Sequence, residues 1–200
     1  MKKKQTINWL VGTVLVGVLM VGLSTTVSAS LLDNRYHISG YVGSNKTNGQ
    51  DFLKNRYYDV THSSRYGLDL GMRLGDSPFA ISLGYFSSYK SDRSPDQNTD
   101  YALNFVEHRF GGRWIYDYSD RLSVYLGAGV SQYNLRMCSK LTDSTEIVNI
   151  NQQGLYSEVA GIVSITDRLY TGAKIDYSFS NSTGLEISAI SYGVVAGVSF

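Results

Sequence analysis

The 200-residue chain holds a single cysteine, Cys138, and only two prolines, Pro78 and Pro95. A lone cysteine cannot close an intramolecular disulfide, so this is not one of the small stapled secreted modules. Cys138 reads as a bystander in a loop, with an intermolecular link as the alternative. Net charge is also missing. The chain carries 18 Lys and Arg against 17 Asp and Glu, which gives no reason to expect nucleic acid as a partner. An apolar run long enough to span a membrane as a helix is absent too. The longest, Trp9 to Leu23, falls short of the ~20 residues required. Beyond it no segment shows helical periodicity.

What the N-terminus does have is a leader. "MKKKQTINWLVGTVLVGVLMVGLSTTVSAS" runs from Lys2, Lys3 and Lys4 through the apolar stretch to Val27-Ser28-Ala29, a small-x-small cleavage pattern. This predicts a cleavable secretory signal peptide over 1–29, cut after Ala29; an uncleaved anchor is the weaker alternative. No cysteine lies near the cleavage point, which excludes a lipoprotein anchor. Residues 30–200 are then exported as one domain.

Glycine (20) and tyrosine (16) are abundant, and apolar residues recur at period two, so the domain reads as all-β. Eight segments alternate. They include Tyr36, Ile38, Gly40 and Val42; Tyr66, Leu68, Leu70, Met72 and Leu74; Phe79, Ile81, Leu83 and Tyr85; and Val106, His108, Phe110, Gly112, Trp114 and Tyr116. Leu122 to Val130, Leu155 to Ile165, Leu169 to Phe179 and Ser191 to Phe200 continue the pattern. Tight turns fall at 75–78, 117–120 and 166–168, and longer polar connections at 44–63, 88–101, 134–153 and 180–187. Long and short connections alternate strictly. That rhythm predicts an eight-stranded antiparallel up-and-down barrel.

A soluble barrel would turn its apolar face inward, and period alone cannot choose between the two. The opposite face carries charges of both signs: Arg65, Asp69, Arg73, Glu107, Arg109, Arg113, Glu158, Lys174 and Asp176. An Arg or Lys facing lipid at the midplane costs about 2–4 kcal/mol, whereas in a narrow lumen these groups can pair. Gly67, Gly71, Gly111, Gly193 and Gly197 share that face and would leave room for long charged side chains. Aromatics also gather at the ends of the apolar stripes, with Tyr36, Phe79, Trp114, Tyr116 and Phe200 at the short-turn rim. Tyr66, Tyr85, Tyr177 and Phe179 mark the long-loop rim. Two aromatic belts around an apolar band predict a transmembrane β-barrel in the outer membrane of a Gram-negative bacterium.

The last segment, "SYGVVAGVSF", places Tyr192, Val194, Ala196, Val198 and Phe200 on one face. A closing strand of this kind resembles the assembly signal that the barrel-assembly machinery reads. With "GGRWIYDYSDRLSVYLGAGVS" and "VSITDRLYTGAKIDYSFS" as successive hairpins, residues 30–200 resemble the small barrels of the OmpX/Ail/Lom family. The ending departs from that family's Gly-x-Gly-Tyr-x-Phe, since Val195 and Val198 replace the first Gly and the Tyr. The broader outer-membrane β-barrel superfamily is therefore the safer assignment. The resemblance implies a monomer set in outer-membrane lipid and lipopolysaccharide, associated with adhesion, host-factor binding or envelope integrity.

Enzymatic chemistry finds no constellation. His62 stands two residues before Ser64, as in lipid A deacylases, but Arg65 follows and no acidic partner is evident. A charged lumen does not suit an acyl-chain transferase, and His37 and His108 lack clustered metal ligands. No cofactor and no enzyme activity are expected. The first long connection interleaves Lys46, Lys54 and Arg56 with Phe52, Tyr57 and Tyr58, a composition suited to sulfated glycans, matrix or serum proteins, or lipopolysaccharide phosphates. A surface-interaction protein is the leading reading and a small porin the alternative.

Overall fold

A computed structural model describes residues 35–49, 62–93, 99–141, 145–182 and 185–200. Alternation of apolar and polar side chains sets eight strands: β1 (Tyr36–Gly49), β2 (His62–Arg73), β3 (Phe79–Arg93), β4 (Thr99–Asp117), β5 (Leu122–Leu141), β6 (Thr145–Ser164), β7 (Leu169–Ser182) and β8 (Leu185–Ser199). Each pairs antiparallel with its neighbours, and β8 closes on β1 to complete the barrel. Closure is tight at the bottom. Tyr36 and Phe200 exchange backbone hydrogen bonds of 2.9 and 3.0 Å, and their rings stack 6.0 Å apart. The predicted signal peptide lies outside the described residues.

The three short turns are built locally. Gly75 adopts φ +60°, a left-handed conformation that suits glycine, and Leu74 N–H donates to Phe79 O at 2.9 Å. The other two turns share a hydroxyl device. Ser119 Oγ accepts from Leu122 N–H at 3.2 Å, and Thr166 Oγ1 accepts from Leu169 N–H at 3.0 Å. The repeated Ser/Thr-Asp-Arg-Leu phrase is thus a turn in which the hydroxyl holds the returning strand.

The four long connections are shorter than the sequence suggests. Residues 44–49, 62–63, 88–93, 99–101, 134–141, 145–153, 180–182 and 185–187 of those connections are strand. Ladder hydrogen bonds join backbone to backbone, so pairing continues where side chains turn polar. β5 and β6 each run 20 residues, reaching about 65 Å when extended. Even tilted, they outrun an apolar band ~25 Å tall. Residues 134–141 and 145–153 are therefore strand, not loop, and Cys138 sits in β5 opposite Ala102 and Ile147.

The apolar stripe faces outward. Leu68, Leu83, Phe110, Val130, Leu155, Val194 and Phe200 are each more than half exposed, whereas the nine charged positions of the opposite face are buried. A lumen packed with charge and an outside lined with leucine, valine and aromatics match a barrel solvated by lipid.

Candidate functional site

The lumen is filled by an ion-pair lattice at mid-height. Arg113 grips Asp69 with two hydrogen bonds of 2.6 Å and reaches Glu158 at 2.5 Å. Lys174 binds the other oxygen of Glu158 at 2.6 Å. One layer higher, Arg109 forks onto Glu107 at 2.8 and 3.0 Å and also binds Asp176. Arg65 meets Glu107 at 2.5 Å, Asp176 at 3.5 Å and Ser191 Oγ at 2.6 Å. Ser191 in turn donates to Asn45 at 3.0 Å. These four cations and four anions balance, so no net charge is desolvated, and breaking one partner out would be costly.

Aromatic rings complete the lattice. Phe86 lies beneath Arg65 at 4.6 Å and Arg109 at 4.7 Å, with Lys174 4.7 Å from the same ring. Arg109 also lies over the Tyr156 ring at 4.7 Å, and Arg113 covers Tyr125 at 4.6 Å. With Asn45 from β1, Phe86 from β3, Tyr125 from β5 and Ser191 from β8, every strand contributes a side chain.

A second tier closes the short-turn end. Arg73 pairs with Asp117 at 3.3 Å and donates to the Ser77 carbonyl at 3.0 Å, while Ser123 donates to Asp117 at 2.5 Å. Between the tiers lies a cavity of ≈ 40 Å³ bordered by His37, Arg73, Arg113, Tyr125 and Tyr170. It has room for a few waters and no larger solute. Above the lattice, Phe105 and Tyr133 pack with ring centroids 5.3 Å apart.

The structure places all nine charged positions inside and brings eight of them into the central lattice. Asp117, assigned to a turn by the sequence, is the missing partner of Arg73. Its phase, four residues after Arg113 on β4, carries that information. The buried rings Tyr41, Phe86, Phe105, Tyr125, Tyr133 and Tyr170 were the larger omission. Each falls on the phase opposite the apolar stripe of its strand, but only Phe105 on β4 and Tyr170 on β7 share that phase with lumen charges. The lumen glycines are corrected likewise. A Cβ on Gly67 would strike Phe86, one on Gly111 the Tyr156 hydroxyl, and one on Gly197 the Tyr170 ring. These three make room for rings, whereas Gly71 lies against the Arg113 guanidinium and Gly127 against the Glu158 carboxylate.

Lys46, taken from the sequence as a loop residue, is an exposed strand residue of β1 opposite His62 and Ile190. Phe52, Lys54, Arg56, Tyr57 and Tyr58 lie outside the described residues. His62 and Ser64 are exposed on the outer side of β2, with the buried Ser63 between them pointing inward. Tyr192, Val194 and Phe200 face outward, and Ala196 and Val198 share their phase on β8.

No family model matches the chain, and no curated protein matches it. Solved structures do. Ail, the attachment invasion locus protein of Yersinia pestis, is similar with a TM-score of 0.58 at 10% identity, over 84% of this chain and 99% of that one. Neisserial surface protein A gives 0.56 at 16% identity, covering 82% and 97%. A major outer membrane protein from Thermus thermophilus gives 0.52 at 8%, covering 80% and 99%. The fold is therefore that of the small outer-membrane β-barrels.

Proposed function

We propose that the chain is an integral outer-membrane protein whose barrel is a closed scaffold, displaying its extracellular strands and loops for surface interaction or envelope integrity. The export signal predicted over 1–29, the lipid-facing apolar stripe and the fold of its structural neighbours support that placement. The observation that carries the closed-scaffold reading is the lattice itself. Arg65, Arg109, Arg113 and Lys174 are each tied to carboxylates across the lumen, which supports a lumen blocked at mid-height. The barrel acts as a monomer, assembled through recognition of β8 by the barrel-assembly machinery. It sits among outer-membrane lipid and lipopolysaccharide, and its role is display rather than catalysis.

One solved structure with this fold is of Ail in complex with the heparin analogue sucrose octasulfate. In the present chain a sulfated-glycan or matrix contact would be sought in the basic and aromatic segment holding Phe52, Lys54, Arg56, Tyr57 and Tyr58. Replacing 50–61 by Gly and Ser should lower binding to immobilised heparin or matrix; undiminished binding removes that contact. The scaffold reading is tested in planar bilayers. The refolded protein should give no stable conductance steps. Steps that vanish on mutating Arg109 or Glu158 would make the protein a pore.

A further inference from the structure

We infer that the outward face of the β3–β6 wall, just above the apolar band, is a saccharide-binding face that takes the core sugars, beyond the acylated disaccharide, of glycolipids anchored in the same leaflet. This rests on the barrel spanning the outer membrane with Tyr36 at the periplasmic end.

The register lines up side chains in rungs across the four strands. The top apolar rung is Leu83–Phe110–Val130–Leu155, all more than half exposed. One rung higher the chemistry changes at once, to Tyr85–His108–Gln132–Gln153. Above it comes Ser87–Val106–Asn134–Asn151, with Val106 and Ser87 half-buried, and then Tyr89–Asn104–Arg136–Asn149. The six amides in these rungs are exposed. Tyr89 is 56% exposed, and Tyr85 meets the His108 ring edge-on at 5.3 Å.

Neither propensity nor solubility accounts for this composition. Asn is disfavoured in strands, and a wall that needed only to be wet would be served by charged residues. An amide both donates and accepts, so an array of amides matches the paired hydroxyls of a sugar ring. A tyrosine face offers an apolar surface to the ring's C–H groups. Arg136 is the one fixed charge among these rungs. The face therefore suits neutral or weakly acidic sugars, not the dense negative charge of a sulfated chain.

Position selects the source. Rungs are about 6.7 Å apart along a strand, so the amides begin within one rung of side chains that touch lipid. The face looks sideways along the membrane rather than upward. A ligand seated on it is thus continuous with the lipid interface: acyl chains lie against Leu83, Phe110, Val130 and Leu155, and the core sugars against the amides.

The test uses the refolded full domain in vesicles of phosphatidylcholine, of phosphatidylcholine with lipid A, and of phosphatidylcholine with lipopolysaccharide that keeps its core sugars. Unfolding is followed by the heat-induced gel shift. Core-bearing lipopolysaccharide should raise the unfolding temperature by several degrees over lipid A, as expected for a ligand bound only by the folded state. Combining Gln132→Thr, Asn134→Thr, Asn151→Thr and Gln153→Thr keeps strand-compatible side chains. This variant should lose that increment while matching the parent in phosphatidylcholine alone. An equal rise with lipid A, or an increment kept by the variant, would overturn the inference. The full increment from free core oligosaccharide would assign the face to soluble glycans instead and overturn the leaflet source. A protein that shows no heat shift in any vesicle would overturn the barrel reading beneath it.

Discussion

Phe86 concentrates the physics of the lumen in one ring. Three cations approach it, Arg65 at 4.6 Å and Arg109 and Lys174 at 4.7 Å, and desolvated contacts of this kind are worth up to about 2 kcal/mol each. Phe86→Leu keeps an apolar side chain but removes three carbons, and the transfer and cavity cost of such a trim is on the order of 1–2 kcal/mol. Urea unfolding in detergent should show a larger loss, and a double-mutant cycle with Lys174→Met should give a coupling of about 0.5–2 kcal/mol. Zero coupling would reduce Phe86 to simple filler. Asp69 makes the complementary case. It is held by both Arg113 terminal nitrogens at 2.6 Å, so Asp69→Ala strands a buried guanidinium and should cost about 3–5 kcal/mol. A loss below about 1 kcal/mol, in the range of surface pairs, would mean that Glu158 alone satisfies Arg113. The charged half of this site was legible from phase alone, because Asp69 and Arg113 recur with other charges on the face opposite the apolar stripe of β2 and β4. The aromatic half was not. A tyrosine or phenylalanine fits either face of such a strand, and only the register decides which ring meets which cation.

At the scale of the element, β8 carries two tasks. It pairs with β1 from His37–Ser199 to Gly49–Ile187 and with β7 along its length. Its last residue returns two backbone hydrogen bonds to Tyr36. Deleting Phe200 removes that clasp and the 6.0 Å stack without touching the lumen lattice. The amount of heat-modifiable protein in the outer-membrane fraction should fall, while protein that does fold keeps its ligand contacts. Unchanged surface levels would show that closure and assembly depend on the rest of β8. The strands themselves were readable from period two, and the short turns from their Gly, Ser, Thr and Asp residues. The upper strand ends were not readable. Above the lipid, alternation no longer has to separate apolar from polar, so Asn134 to Leu141 and Thr145 to Gln153 look like loop while the backbone ladder continues through them.

For the whole molecule the controlling quantity is the balance of charge inside a shell turned inside out. The central lattice sets Arg65, Arg109, Arg113 and Lys174 against Asp69, Glu107, Glu158 and Asp176. Arg73 and Asp117 form a further pair below. Because all eight strands contribute to the interior, the barrel should unfold as one unit and resist detergent until the network fails. Electrophoresis of the outer-membrane fraction makes this visible: the unheated protein should migrate as a compact form and the boiled protein at its full length of chain. Asp69→Ala should lower the temperature at which the compact band disappears while leaving that band's mobility unchanged, since the shell is set by backbone pairing and not by the lattice. Loss of the compact band at every temperature would mean that the lattice is needed to close the barrel. A protein found soluble in the periplasm, with one unchanged band, would defeat the membrane architecture. The apolar stripe of Leu83, Phe110, Val130 and Leu155 would then need some cover other than lipid.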